Sequence, residues 1–166
     1  NKRPERPERE KPRFCDPFAC RNCQHIGNGD FAVIVKDENK MIGTCGFTSI
    51  SEKDSAAEIG FVLNPLYHQK GYGYEAALEV MRLGFFCFGF NRIEARCMKG
   101  NQSSRALMKK LGMQYEGCAR QLMFVKGAYR DIETCSILKN EFAEKIKEQR
   151  KGDEPPPYLP FPMLTA

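Results

Sequence analysis

The stretch from Glu58 to Ala76, Glu-Ile-Gly-Phe-Val-Leu-Asn-Pro-Leu-Tyr-His-Gln-Lys-Gly-Tyr-Gly-Tyr-Glu-Ala, constrains the fold more than any other part of this 166-residue chain. Its first half, Glu58 to Leu63, is an apolar and β-branched run that stops at Asn64-Pro65, which reads as a strand. Its second half places Gly71 and Gly73 at alternate positions and enters a helical pattern directly. From Tyr74 to about Phe86, Ala76, Ala77, Val80, Met81 and Leu83 recur at helical spacing, with Glu75 and Glu79 near the start, where the helix dipole favours acids. Strand, glycine loop and helix in that order bring several backbone N–H groups together at a helix N-terminus, a place suited to phosphate. The loop lacks the Lys-Ser/Thr pair of a G-x-x-x-x-G-K-[ST] motif. It meets the G-x-G-x-x-[GA] spacing through Ala76, but bulky Tyr72 and Tyr74 fill the variable positions and no parallel βαβ series surrounds it, which argues against a nicotinamide cofactor.

The rest of the pattern alternates strands with helices. Phe31 to Lys36 and Met41 to Phe47 flank the polar turn Asp37-Glu38-Asn39-Lys40, a hairpin signature. Arg92 to Met98 alternates Ile93, Ala95 and Cys97 against Arg92, Glu94 and Arg96, as a half-buried strand does. Ser103 to Leu111 reads as a helix with Asn101 or Ser103 as its cap and Gly112 at its end. Met113 to Val125 and Asp131 to Leu138 flank a Lys126-Gly127-Ala128 hairpin loop, and Asn140 to Arg150 is a charged terminal helix. The order β-β-β-α-β-α-β-β-α predicts an α/β (α+β) domain: a mixed, mostly antiparallel sheet flanked by helices, not a doubly wound parallel fold. That domain spans residues 14–150, between a disordered arm over 1–13, all polar or Pro, and a Pro-rich tail over 151–166 with a Pro155-Pro156-Pro157-Tyr158 string.

Charge and cysteine content narrow the function classes. The formal net charge is +5, but residues 1–13 alone hold six cations against three anions, so the folded part is close to balanced and does not suggest a nucleic-acid surface. The longest apolar run, Leu83 to Phe90, is interrupted by Gly84 and Gly89 and is far shorter than the roughly 20 residues that span a bilayer. The chain therefore reads as cytoplasmic, without nucleic-acid or membrane partners. Of eight cysteines, Cys45, Cys87, Cys97, Cys118 and Cys135 sit in apolar or alternating segments and are expected to be reduced core thiols. Cys15, Cys20 and Cys23 precede His25, but four candidate ligands within eleven residues lack the separated second pair of a structural zinc site, so no metal is expected.

From Phe31 to about Leu138 the motifs, in order, resemble the GNAT superfamily of acetyl-CoA-dependent N-acetyltransferases, in particular the branch that acetylates ribosomal-protein N-termini. The resemblance rests on Ile42-Gly43-Thr44, Glu58-Ile59-Gly60-Phe61, Asn64-Pro65-x-Tyr67, Lys70-Gly71-Tyr72-Gly73, Arg92-Ile93-Glu94-Ala95, Asn101-x-x-Ser104, Leu111-Gly112-Met113 and Glu116-Gly117. It implies acetyl-CoA as cosubstrate, with the pyrophosphate loop over His68 to Gly73 and its diphosphate held by the N–H groups of Gln69, Lys70, Gly71, Tyr72, Gly73 and Tyr74. It also implies that Phe61, Val62 and Leu63 pair with the pantetheine arm and offer an N–H to the thioester oxygen, and that Asn101 and Ser104 contact the cosubstrate near its sulfur. The acceptor is then a primary amine, on a protein N-terminus or a small molecule. An α-amine is already partly neutral at pH 7, so a base acting through water suffices, and Glu58 is the candidate; the alternative is a solvated strand-end carboxylate. Ser104, with Tyr115 behind it, is the candidate donor to the leaving thiolate; the alternative is a first-turn residue satisfying backbone. No cysteine falls on a matched position, so transfer is direct.

Two departures from the family pattern accompany the match. His68 stands where the superfamily usually has Arg or Gln. The region before Phe31 is shortened relative to the strand and helices that precede this point in the branch, although Phe14 to Gln24 could supply a second helix interrupted by Pro17. A catalytically incomplete acetyl-CoA-binding or regulatory module, and a homodimer with a strand supplied by a second subunit, therefore stay open.

Overall fold

The computed structural model describes residues 29–150. The charged arm over 1–13, the segment Phe14 to Gln24, the Cys15/Cys20/Cys23/His25 cluster and the Pro155-Pro156-Pro157-Tyr158 string lie outside them. Six strands form one sheet: β1 (Gly29–Val35), β2 (Lys40–Ser51), β3 (Ala56–Leu63), β4 (Arg92–Met98), β5 (Gln114–Val125) and β6 (Ala128–Leu138), in the spatial order β1-β2-β3-β4-β6-β5. Every neighbouring pair is antiparallel except β3 and β4. Three helices complete the domain: α1 (Tyr72–Arg82), α2 (Gln102–Lys110) and α3 (Lys139–Arg150). The expected element order and mixed sheet are thus both found.

One apolar layer joins the helices to the sheet. Ala57 and Ile59 of β3, Ile93, Ala95 and Cys97 of β4, and Cys135 and Ile137 of β6 share a buried cluster with Ala76, Ala77, Val80 and Met81 of α1, Met108 of α2, and Phe142 and Ile146 of α3. On a strand, successive side chains face opposite sides, so the alternate residues Glu58, Arg92, Glu94, Arg96 and Ser136 lie on the other face, which these helices leave uncovered. Phe85 and Phe142 stack with ring centroids 5.0 Å apart and tie α3 to the end of α1.

Local chemistry sets the boundaries. Helix α1 begins two residues earlier than its apolar stripe, at Tyr72, and after Arg82 continues as a π turn over Leu83–Cys87, closed by a Phe88 N–H donation to the Leu83 carbonyl at 3.0 Å. In that turn Gly84 and Phe85 face the core while Phe86 and Cys87 point out, so Cys87 is exposed and is not the core thiol its apolar neighbours suggested. Cys118 is half-buried, and Cys45, Cys97 and Cys135 are buried as expected. Asn101 caps α2, accepting from the Ser104 N–H at 3.1 Å. The helix closes with a Schellman motif: Met113 N–H to Met108 O and Gly112 N–H to Lys109 O, both 3.0 Å. The β5–β6 turn is tighter than the sequence suggested. Val125 pairs with Ala128, and Lys126 and Gly127 alone make the turn with φ of 50° and 78°, the two-residue form matched to sheet twist.

Candidate active site

The parallel pair β3–β4 creates the site. Its ladder holds only Ala56–Arg92, Ala57–Ile93 and Glu58–Glu94, after which β3 follows β2 and β4 follows β6, and the two strands part. Beyond Glu58, β3 therefore has a backbone edge that β4 does not pair, and an extended ligand can add to it as a strand would. Each strand is followed by a short loop and a helix, so the N-termini of α1 and α2 lie at the same end, where the strands diverge. The crevice at the carboxyl ends of parallel strands is the usual ligand position in open sheets. Across from Glu58, β2 carries a bulge between Phe47 and Ser49; Thr48 there donates to the Glu58 carbonyl at 3.3 Å.

The N-terminus of α1 is built to receive an anion. Its cap residue is Gly71, at φ 92°, and no side chain caps the turn; the Glu75 N–H is the first to reach a helical carbonyl, that of Gly71, at 3.1 Å. First-turn donors so placed, with the positive end of the helix dipole behind them, favour a phosphate group. Gly73 is required for another reason: a Cβ there would stand 2.9 Å from Leu63 Cδ1 and 3.6 Å from Leu107 Cδ2, so this backbone is wedged between the end of β3 and α2. Gln69, at φ 60°, adds a second left-handed residue to the loop.

Side chains fix the loop from outside while its backbone faces inward. The 3-10 turn Pro65–Tyr67 is capped by Asn64, which accepts from the Leu66 N–H at 3.0 Å. Tyr67 is buried, donates its hydroxyl to Glu38 Oε2 at 2.5 Å, and lies beneath Lys70 Nζ at 5.0 Å and Lys40 Nζ at 5.4 Å from the ring centre. His68, the departure from the usual motif residue, has Nε2 2.9 Å from the Leu63 carbonyl and so ties the loop to the end of β3. Tyr72 packs 6.2 Å from Tyr67, and Tyr74 accepts from Gln149 Nε2 at 2.8 Å under Lys110 Nζ, which anchors α1 to α2 and α3. The two tyrosines at the variable positions thus anchor the start of α1.

The structure brings some of the expected site residues together. Phe61, Val62 and Leu63 lie on the diverging limb of β3; Val62 is 72% exposed, whereas Phe61 and Leu63 are partly buried against the core. Gln69 to Tyr74 form the loop and first turn of α1, and Asn101 and Ser104 stand at the neighbouring N-terminus of α2. Asn101 Oδ1 is engaged in capping. Glu58 is the last residue of β3 paired with β4, at the point where the two strands part. Tyr115 is on β5, with β6 between it and β4, and its ring lies 4.4 Å under the guanidinium of Arg105, the α2 residue next to Ser104. Three further carboxylates, Asp54, Glu116 and Asp131, have separate partners. Asp54 accepts from Ser51 at 2.6 Å, Asp131 accepts from the Gln121 N–H at 2.9 Å, and Glu116 belongs to a network on the sheet face opposite α1, α2 and α3.

That network was not legible in the strand alternation. Glu58 and Glu94 sit side by side, and Arg96 joins them with Nη1 3.5 Å from Glu58 Oε2 and Nη2 2.8 Å from Glu94 Oε1. Glu94 Oε2 pairs with Arg92 at 3.1 Å, and Arg92 in turn makes two hydrogen bonds to Glu116 and one to Ser136. Hydrogen bonds from Arg92 and Ser136 pull the Glu116 carboxyl down to about 2, and the same Glu116 contact holds Arg92 above its ordinary value. The same-face spacing of Arg92, Glu94 and Arg96 was the available signal; their partners on β3 and β5 required the sheet order.

The parallel pair opens into a crevice, with an uncapped glycine-started helix at its mouth. Residues 3–114 match the family model of the acetyltransferase (GNAT) domain, and the chain belongs to that family. Among curated proteins it is similar to the uncharacterized N-acetyltransferase p20 of Bacillus licheniformis, 38% identical over 113 residues that cover 68% of this chain and 64% of that protein. The first curated relatives are matched over only 59–65% of their own length. Among solved structures it resembles a GNAT-family acetyltransferase from Bacillus anthracis at 33% identity and TM-score 0.62, covering 67% of this chain and 66% of that one. It also resembles the ribosomal-protein-S5-alanine acetyltransferase from Vibrio fischeri at 27% identity and TM-score 0.65, over 69% of this chain and 63% of that one. Among the described residues, no helix is long and apolar enough to cross a membrane.

Proposed function

We propose that this chain is an acetyl-CoA-dependent N-acetyltransferase that moves the acetyl group directly onto a primary amine, the acceptor being a protein N-terminal α-amine. The observation that carries the reading is the divergence of β3 and β4 after Glu58 beside the uncapped, left-handed Gly71 start of α1. The fit to the cosubstrate is chemical as well as topological: an N-terminus without a side-chain cap suits a diphosphate, and an unpaired strand edge suits an amide-bearing pantetheine arm. The similarity to a ribosomal-protein-S5-alanine acetyltransferase supports the choice of acceptor.

In this reading Gln69 to Tyr74 hold the diphosphate through backbone N–H groups, and Phe61 to Leu63 align the arm along β3. An N–H of the same strand faces the thioester oxygen, where negative charge develops as the amine adds. Glu58 accepts the amine proton through water, and the Ser104 hydroxyl donates a hydrogen bond to the departing thiolate. Tyr115, whose ring packs on Arg105 next to Ser104, stands behind that donor.

Calorimetric titration with acetyl-CoA, followed in the same sample by thiol release with a panel of N-terminal peptides and polyamines, tests the proposal. Binding with turnover on peptides supports it, and turnover confined to polyamines moves the acceptor to a small amine. Binding without turnover on any amine would make the chain a CoA-binding module, and no binding would overturn the reading. In an active protein, Glu58→Gln should lower kcat at least tenfold with acetyl-CoA affinity unchanged, since a positioned general base contributes about 10²–10⁴-fold.

A further inference from the structure

Arg96 is the candidate-site residue that the proposed chemistry does not use. It lies two residues past the last position of β4 paired with β3, on the same face as Glu58 and Glu94, and contacts both carboxylates. Its two contacts differ in quality. The hydrogen bond from Nη2 to Glu94 Oε1 is 2.8 Å, whereas Nη1 stands 3.5 Å from Glu58 Oε2, and the Arg96 side chain is 45% exposed. By contrast, Arg92 is held by Glu116, Glu94 and Ser136 together, so it is fixed and Arg96 is the movable cation of the network.

We propose that Arg96 reads the acceptor: it occupies Glu58 in the resting protein, gives way there to the incoming amine, and turns its freed donors onto the carbonyl or carboxylate next to that amine. This rests on the acetyltransferase reading, because it assigns Glu58 to the amine. The acceptor class it selects is an α-aminoacyl terminus, preferably with an acidic group close behind the amine. The geometry carries both halves. An ammonium beside Glu58 replaces the looser of the two Arg96 contacts while Glu94 keeps the guanidinium in place, and a guanidinium has five donors, of which Glu94 takes one. An alkyl polyamine offers no oxygen to those donors and adds cations beside Arg96, so it is disfavoured at the same place.

The test compares wild type, Arg96→Gln and Arg96→Lys with three acceptors: a peptide with acidic residues after its N-terminus, the same peptide with those residues neutral, and spermidine. Wild type should rank them in that order. Arg96→Gln should raise KM for the acidic peptide about three- to fivefold, the range of a single exposed ion pair, leave kcat within about twofold, and improve kcat/KM for spermidine. Arg96→Lys should keep the wild-type order with a partial rise in KM, because it restores the charge without the fork. An unchanged KM ratio between the acidic and neutral peptides in Arg96→Gln, or an equal loss on all three acceptors, overturns the assignment while leaving the transferase reading intact. Absence of thiol release by wild type on every amine overturns both.

Discussion

Replacing Gly71 by alanine separates what the loop does for the fold from what it does for the ligand. A Cβ at this position would meet nothing nearer than Glu75 Oε1 at 3.7 Å, so there is room for it inside the protein. The obstacle is the backbone: at φ 92° an L-residue is strained, by about 1–2 kcal/mol on the scale of the left-handed helix. The loss of glycine freedom in the unfolded chain offsets about 0.4–1 kcal/mol of that, which leaves a net destabilisation near 1 kcal/mol. For a chain of this size that corresponds to a fall in Tm of about 2–4 °C. Affinity should respond more strongly. Relief of the strain rotates the first turn of α1, and one charge-assisted hydrogen bond to phosphate is worth about 1.5–3 kcal/mol, so the Kd for acetyl-CoA should rise at least tenfold. Differential scanning calorimetry and isothermal titration on the same preparation read the two effects. A Tm drop of the expected size with unchanged acetyl-CoA affinity would refute the placement of the diphosphate on this turn, since the strain would then have been absorbed where no ligand sits.

Glu116 gives a pH-dependent prediction. Its carboxyl is drawn down from 4.5 to about 2 by Arg92 and Ser136, so it stabilises the fold above pH ~4.5 and loses that contribution as pH falls towards 2; at 41% exposure, solvent screening limits it to about 1 kcal/mol or less. Urea unfolding of wild type and Glu116→Gln should therefore show a stability gap at pH 6 that closes at acid pH, and a gap independent of pH would count against the pairing. Phe142, with no exposed surface and its ring 5.0 Å from that of Phe85, should cost about 3–5 kcal/mol when cut to alanine. A urea-midpoint change equivalent to less than 1 kcal/mol would mean that α3 is not part of the core.

How much could be read before the chain was folded depended on the range of the signal. Strand and helix order was legible because it rests on local periodicity: the alternation of Ile93, Ala95 and Cys97, and the stripe of Ala76, Ala77, Val80 and Met81, each report one face of one element. Boundaries were less so. The π turn after Arg82 and the exposure of Cys87 depend on how Phe85 seats against Phe142, a contact 57 positions away in the chain. The glycine loop was legible for the same local reason as the helices, since Gly71 and Gly73 answer to a positive φ and to a close approach within a few residues of β3.

The face-to-face placement of charges was not legible. Arg92, Glu94 and Arg96 announce themselves as one side of a strand, but that Glu58 lies next to Glu94, and Glu116 within reach of Arg92, follows from the order β3-β4-β6-β5, which places a late hairpin strand two positions away from its sequence predecessor. The same order sets Tyr115 on β5, two strands from β4, where its ring meets Arg105 of α2. The sequence by itself determined which segments are strands and helices and where the glycine loop enters α1, because these follow from side-chain period, capping and backbone freedom over a few residues. Only the tertiary structure decided which carboxylate and which guanidinium share the face opposite α1, α2 and α3, because a parallel pair that parts after three rungs is the outcome of long-range strand pairing, and no local pattern encodes where two strands separate.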